Sequence, residues 1–404
     1  MKILHLQYGT SAASPAYRLH QAFIENGLNS QILSLYAATI QNSNIIVLGR
    51  KERLQSKANN YIQSYLTKNK KSEFGVFSYP ILGSNLSSKK EVQEADVIYV
   101  HWVLNGFLSI KNLKQLAALG KPIIYVMHDM WNITGGCHHS FNCDKYMNQC
   151  ENCQFFTGNK VKDIAYKGFK KKLKFYSDYQ NLYFVSPSMW LFKKAQKSTL
   201  IKNKPIFHIG NSLDANLFKP IDKKVAKQIL NVDGNKKVIA FGAMSIDSPY
   251  KGWSYLKNAL DILFNSGYKN FKILIFGSSY NPDIADAINY ETKFFGFIDN
   301  EYATSVIYNA ADVFVAPSLA DNLPYTVLES LSCGTPVVAF SIGGIPEMIV
   351  HKSNGYLAKY KDAADLAAGI EYCINEKTLG YRLQEFDQNS IIEKHLKLIN
   401  NVTA

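Results

Sequence analysis

Short apolar runs recur along this chain, and most lead through a turn into a segment with helical spacing. Residues 3–7 form such a run, and 15–26 follow with Pro15 in the first helical turn and Gly27 as a stop. Further strand-like runs fall at 31–35, 96–101, 122–128 and 182–185, with a helical segment at 108–119 that stops at Gly120. The pattern then restarts. Strands are expected at 237–241, 271–276, 312–316 and 336–340, and helices at 252–264, 301–310 and 326–332. Strands that are apolar on both faces and alternate with helices imply parallel sheets covered on two sides. The expected fold class is therefore α/β, with two doubly wound Rossmann-like domains facing across a cleft. A length of 404 residues suits two domains at about 150 residues each. Residues 1–205 are expected to form the amino-terminal domain and 206–380 the carboxy-terminal one. A last helix within 381–404 is expected to pack back on one of the two domains, the amino-terminal one being the candidate.

Open parallel sheets take ligands beyond the carboxyl ends of their strands. That rule singles out the residues just after strands: His128, Gly242, Gly277 and Ser318. The segment from Ser318 to Pro336 runs from a strand end through a loop into a helix. The amino end of a helix offers backbone N–H groups and a partial positive charge, which suits phosphate. Glu329 lies one turn into that helix, where a carboxylate can accept the hydroxyls of a ribose. Thr326 and Glu329 also have the spacing of a capping box, so both readings stay open. Lys251 is expected to open the helix after Gly242 and to place a cation on a diphosphate. The pair Gly343–Gly344 supplies small residues at another strand end, where backbone can approach a ligand or simply turn.

The chain carries a formal net charge of +13, and all but four of its 45 basic residues are lysines. Nucleic acid binding is weighed and set aside, because base readout leans on arginine and no strand face interleaves aromatic with basic residues. The densest run spans Lys167 to Lys174, read either as a solvated helix face or as a patch for an anionic membrane surface. There is no signal peptide and no long apolar span, so a cytoplasmic protein is expected, peripheral on the membrane at most. Four cysteines, Cys137, Cys143, Cys150 and Cys153, are separated by five, six and two residues. In a reducing compartment this spacing suggests a structural zinc site, with His138 and His139 as substitute ligands. The other reading is four reduced thiols packed as small apolar groups.

Taken in order, these segments resemble the retaining glycosyltransferases of family four, which have the GT-B fold. The residues that carry the resemblance are Asp321 and Glu329 with seven residues between them, the Lys251–Gly252 element, and the linker from Gly210 to Pro220. The family usually has glutamate where this chain has Asp321. It often has an arginine where Ile246 stands between Ser245 and Asp247. The amino half is similar to a branch linked to bacterial surface polysaccharide, through Tyr17 to His20 and His128 to His138. The resemblance implies transfer of a sugar, with retained configuration, from a UDP- or GDP-sugar to a saccharide or lipid-linked acceptor. It implies that Lys251 and the helix near Thr326 serve the diphosphate and that Glu329 holds the ribose. Asp321, with Asn322, Leu323 and Pro324, would touch the donor sugar, and His128 would face the reacting centre. No metal is implied for the chemistry. The departures at Asp321 and Ile246 keep a second reading open, a sugar-nucleotide-binding protein that has lost catalysis.

Overall fold

The apolar runs become strands because helices cover both of their faces. The computed structural model describes residues 1–37, 42–158, 161–243, 246 and 248–403. It divides into two compact units, Met1–Ser212 with Asn389–Ala404, and Leu213–Gln388. The linker from Gly210 to Pro220 contains this boundary.

Unit 1 carries β1 (Lys2–Thr10), β2 (Asn29–Ala37), β3 (Ile45–Val47), β4 (Val97–Val100), β5 (Ile123–Val126), β6 (Leu182–Ser186) and β7 (Ile206–His208). They pair in parallel in the order β3-β2-β1-β4-β5-β6-β7. Alternate residues of β1 feed two cores, as a pleat requires. Leu4 and Leu6 enter one with Phe107, Phe169 and Phe184, and Ile3 enters the other with Leu19, Phe23 and Tyr99. The helix Gln388–Thr403 completes that second core through Ile391, Ile392, Leu398 and Ile399, which lie on one helical face. Its His395 Nδ1 lies 3.1 Å from the hydroxyl of Tyr99.

Unit 2 carries β8 (Lys237–Gly242), β9 (Phe271–Phe276), β10 (Glu291–Phe294), β11 (Val313–Ala316), β12 (Val337–Phe340) and β13 (Gly355–Ala358). The order is β10-β9-β8-β11-β12-β13, again parallel throughout. All six residues of β9 are buried, and its five apolar ones are split between the cores on the two faces. Strand order reverses between β1 and β4 in unit 1 and between β8 and β11 in unit 2. These are the crevices where doubly wound sheets bind ligands.

Four strands escaped the sequence pattern: β3, β7, β10 and β13. All four are sheet edges. An edge strand is covered less completely, so it needs no continuous apolar run; β3 and β7 contain no fully buried residue.

Candidate functional site

In unit 2, the crevice beside β8 and β11 collects several of the singled-out residues. Gly242 ends β8, and the ring of Phe276 leaves no room there, since a Cβ would stand 2.4 Å from it. Lys251 closes a single 3-10 turn, Pro249–Lys251, rather than opening the following helix, which begins at Trp253. Gly252 separates the two with φ of +72°, and a Cβ there would meet the carbonyl oxygen of Pro317 at 1.8 Å. Glycine is thus required for the Lys251 turn to lie against the β11 loop, where Leu319 N–H also donates to Tyr250 O at 2.7 Å. Ser245 and Asp247, which flank the place where the family often has arginine, lie outside the described residues.

Lys251 Nζ reaches across 70 positions of sequence to Asp321 Oδ2, at 2.9 Å. Burial pulls the Lys251 ammonium down, but the Asp321 charge and hydrogen bond outweigh it and hold the group above its ordinary value. The other Asp321 oxygen accepts from the backbone N–H of Asn322 at 3.0 Å. Gly343 and Gly344 back this loop. A Cβ on Gly343 would stand 2.0 Å from Asp321 O, and Gly344 N–H donates to Asn322 O at 2.7 Å. The glycine pair therefore fits the Asp321 loop closely.

The helix after that loop is Tyr325–Ser332, with Pro324 as its cap and no side-chain capping bond. Thr326 and Glu329 both lie inside the helix, so they form no capping box. Glu329 is instead buried, 5% exposed, and its Oε2 accepts from the hydroxyl of Tyr308 at 2.7 Å. Leu323 and Asn322 are buried beside it in the loop, while Pro324 and Thr326 are partly exposed at the helix start.

His128 lies in unit 1, two residues beyond β5, and is partly buried. Its Nε2 is 3.0 Å from His101 Nδ1, and His101 Nε2 is 2.9 Å from His5 Nδ1. Burial pulls His128 down to about 4, with the Asp129 charge partly offsetting it. His5 and His101 are held well below the usual histidine range by burial and by neighbouring histidines. Sequence reasoning missed His5 and His101. The available signal was a polar ring inside each of two apolar strand runs. A small cavity of about 20 Å³ lies here, lined by His101, His128, Asp129, Trp131 and Asn132 among others.

The loop after His128 is fixed by its own polar groups. Asp129 accepts from Trp131 N–H at 2.7 Å and pairs with His138 Nδ1 at 2.6 Å, while His138 Nε2 lies 2.9 Å from Ser78 Oγ. Both His138 nitrogens are thus engaged, which removes it as a substitute metal ligand. Gly135 and Gly168 touch so closely that a Cβ on Gly168 would lie 2.0 Å from Gly135 O.

The four clustered cysteines line one small pocket of about 20 Å³ with Phe77, Tyr146 and Phe155. They do not form a coordination shell. Among the described residues, no group of three or more His, Cys, Asp or Glu side chains is arranged to hold a metal ion. Cys150 Sγ instead accepts from Gly135 N–H at 3.2 Å. Burial, reinforced by the neighbouring thiols, pushes Cys150 up to about 12 and Cys137 well above its ordinary value. The thiols pack among apolar side chains here, and no arrangement among the described residues supports the zinc expectation for Cys137, Cys143, Cys150 and Cys153. Spacing brings the four to one pocket, but loop packing sets their directions.

The lysine run also divides. Lys167, Lys170, Lys171 and Lys174 lie on the exposed face of the helix Ile164–Asp178. Lys172 points the other way, 2% exposed, donates to the carbonyl oxygens of Trp131 and Thr134, and lies 3.3 Å from the Trp131 ring centre. Burial pulls it down to about 7.

Residues 235–376 match the family model of glycosyl transferases group 1. An uncharacterized glycosyltransferase of Haemophilus influenzae is 26% identical over 156 residues, 37% of this chain and 43% of that protein. The Campylobacter jejuni N,N'-diacetylbacillosaminyl-diphospho-undecaprenol alpha-1,3-N-acetylgalactosaminyltransferase is 27% identical over 138 residues, 32% of this chain and 37% of that protein. The chain thus spans about two fifths of the length of these curated relatives. Among solved structures, Anabaena HepE in complex with UDP-glucose superposes with a TM-score of 0.66, at 18% identity, over 99% of this chain and 100% of that one. The chain has the GT-B fold, two parallel-sheet Rossmann-like domains, and its second unit matches the glycosyl transferases group 1 over residues 235–376.

Proposed function

We propose that this protein is a retaining glycosyltransferase of family four that moves a sugar from a nucleotide-diphosphate sugar to a saccharide or lipid-linked saccharide. The observation that carries this is the meeting of Lys251, Asp321 and the helix bearing Glu329 at the β8–β11 crevice. A sugar nucleotide needs little proton transfer to its leaving diphosphate; it needs fixed positive charge where negative charge develops. Lys251 and the amino end of Tyr325–Ser332 supply it. Glu329, held by Tyr308, accepts from the ribose. Asp321, with Asn322, Leu323 and Pro324, contacts the donor sugar, and the backbone at Gly242, the end of β8, borders the donor site. His128 serves the reacting sugar. The UDP and UDP-glucose bound in the Anabaena structures support a nucleotide-sugar donor, a UDP- or GDP-sugar in this reading.

The undecaprenol-linked substrate in the name of the Campylobacter relative supports a lipid-linked acceptor in surface polysaccharide synthesis, on the inner face of the membrane. Among the described residues no helix is long and apolar enough to cross a membrane. The exposed lysines of Ile164–Asp178, and exposed Leu54, Tyr61 and Tyr65 on the helix Arg50–Leu66, support peripheral contact with anionic lipid.

The test is a thermal-shift screen against UDP, GDP, ADP and dTDP and their common sugars, followed by product analysis. A ligand at 100 times its Kd adds about 2.7 kcal/mol of stability. A shift with one base and sugar release from its donor is the expected result. A shift without transfer or hydrolysis, with acceptor present, would favour the binding protein without catalysis. No shift with any nucleotide would remove the reading.

A further inference from the structure

Three histidines from three neighbouring strands form one hydrogen-bonded row in unit 1. His5 lies within β1, His101 directly after β4, and His128 just past β5, in a sheet where β1, β4 and β5 are adjacent. Their rings stack at 5.2 Å and 5.3 Å between centroids, with interplanar angles of 27° and 15°. That is close to the spacing between strands, so the sheet itself sets the repeat.

Burial keeps the three rings neutral, and a neutral imidazole carries one donor and one acceptor. His101 uses both nitrogens, so one donates and the other accepts. The two bonds must therefore run in the same direction along the row. Two directions remain. If His128 donated to His101 and His101 to His5, then His5 Nδ1 would accept and its N–H would sit on Nε2. His5 Nε2 is buried and has no hydrogen-bond partner among the described residues. A buried N–H without a partner is rarer and costlier than a bare lone pair. The opposite direction leaves only the lone pair there. His5 Nδ1–H then donates to His101 Nε2, and His101 Nδ1–H donates to His128 Nε2.

We propose that His5 and His101 are positioning residues that fix His128 as its Nδ1–H tautomer, so that it serves glycosyl transfer as a neutral hydrogen-bond donor to a sugar oxygen and not as a general base. The tautomer follows from the row alone; the donor role rests on the glycosyltransferase reading. Placement explains why one histidine lies inside β1 and another directly after β4. The inner ring sets the direction, the middle ring transmits it, and the outer ring presents the result beside the cavity that His101 and His128 both line. The order of the strands, a property of the fold, thereby decides the chemistry of one side chain.

The experiment is two-bond ¹H–¹⁵N correlation on the full chain labelled with ¹⁵N-histidine, which distinguishes Nδ1–H from Nε2–H rings directly. The wild-type protein should show His128 and His101 as Nδ1–H tautomers, with His128 assigned from the peaks lost in His128→Asn. An Nε2–H ring at His128 would overturn the proposal, and because this is read on the wild type it needs no variant of the inner row to fold. His101→Phe keeps a flat ring but breaks both bonds. It should move His128 toward the Nε2–H form and lower kcat about tenfold with little change in KM. His101→Gln, which can still donate and accept, should restore most of both. An unchanged His128 tautomer in His101→Phe would show that the row does not set it. An altered tautomer with unchanged kcat would remove the donor role. If the wild type transfers no sugar from any nucleotide donor, the glycosyltransferase reading and the donor role built on it fail together, whereas the spectrum alone decides the tautomer.

Discussion

Replacing Lys172 with methionine should change how the stability of unit 1 depends on pH. The ammonium is buried against the Trp131 ring and two carbonyl oxygens, and burial pulls it to about 7 from an ordinary 10.5. The folded value is the lower one. Below about pH 7 both states hold the proton, and folding bears the full cost of burying the charge. Between about 7 and 10.5 the unfolded chain binds more protons, so stability rises with pH. With those two values the linkage relation gives a gain of about 2.6 kcal/mol between pH 6 and pH 9. Methionine fills similar space and does not titrate, so Lys172→Met lacks this gain. It also leaves the carbonyl oxygens of Trp131 and Thr134 without their donor, a loss of about 1–3 kcal/mol. The variant should thus be clearly less stable than the wild type at pH 9, with the gap closing or reversing at pH 6. Urea unfolding read by tryptophan fluorescence at several pH values measures the gap. A gap that is the same at pH 6 and pH 9 would refute the reasoning.

Lys251→Ala and Glu329→Ala should each lower kcat/KM on the order of 100-fold or more while circular dichroism stays unchanged; full activity in either removes the site assignment. Tyr308→Phe takes the hydroxyl from buried Glu329, so chemical unfolding should show a loss of about 1.5–3 kcal/mol, and an unchanged midpoint would mean the carboxylate does not depend on that bond. Gly252→Ala puts a Cβ at 1.8 Å from Pro317 O in a left-handed turn. It should cost about 2 kcal/mol or more in unit 2 and weaken nucleotide binding by moving Lys251. A variant as stable as the wild type, with equal nucleotide affinity, would contradict that packing.

Much of the fold was legible because central strands of a parallel sheet must be apolar on both faces. The runs at 97–100, 123–126 and 271–276 could hardly be anything else, and the restart of the pattern near residue 237 marked a second unit. Edge strands left no such trace, because half-buried residues obey no strict pattern. The site was legible in part. Asp321, Glu329 and Lys251 stand in recognisable local contexts, yet the ion pair between Lys251 and Asp321 spans two separate strand-to-helix loops and has no local signature. Lys172 could have been found. It occupies the buried stripe made by Ala165, Gly168, Phe169, Phe175 and Tyr176, so helical phase alone turns it inward.

By itself, then, the sequence determined the local elements and their repeat, because hydrophobic periodicity acts between near neighbours. It also determined which residue types stand at strand ends, where a ligand can reach them. Tertiary structure decided what those residues do to one another. The order β1-β4-β5 aligns His5, His101 and His128. Loop packing gathers four cysteines around one pocket, and helix Tyr325–Ser332 buries Glu329 against Tyr308. These outcomes depend on distances between residues far apart in the chain, and such distances are set only when the sheets close and their cores pack.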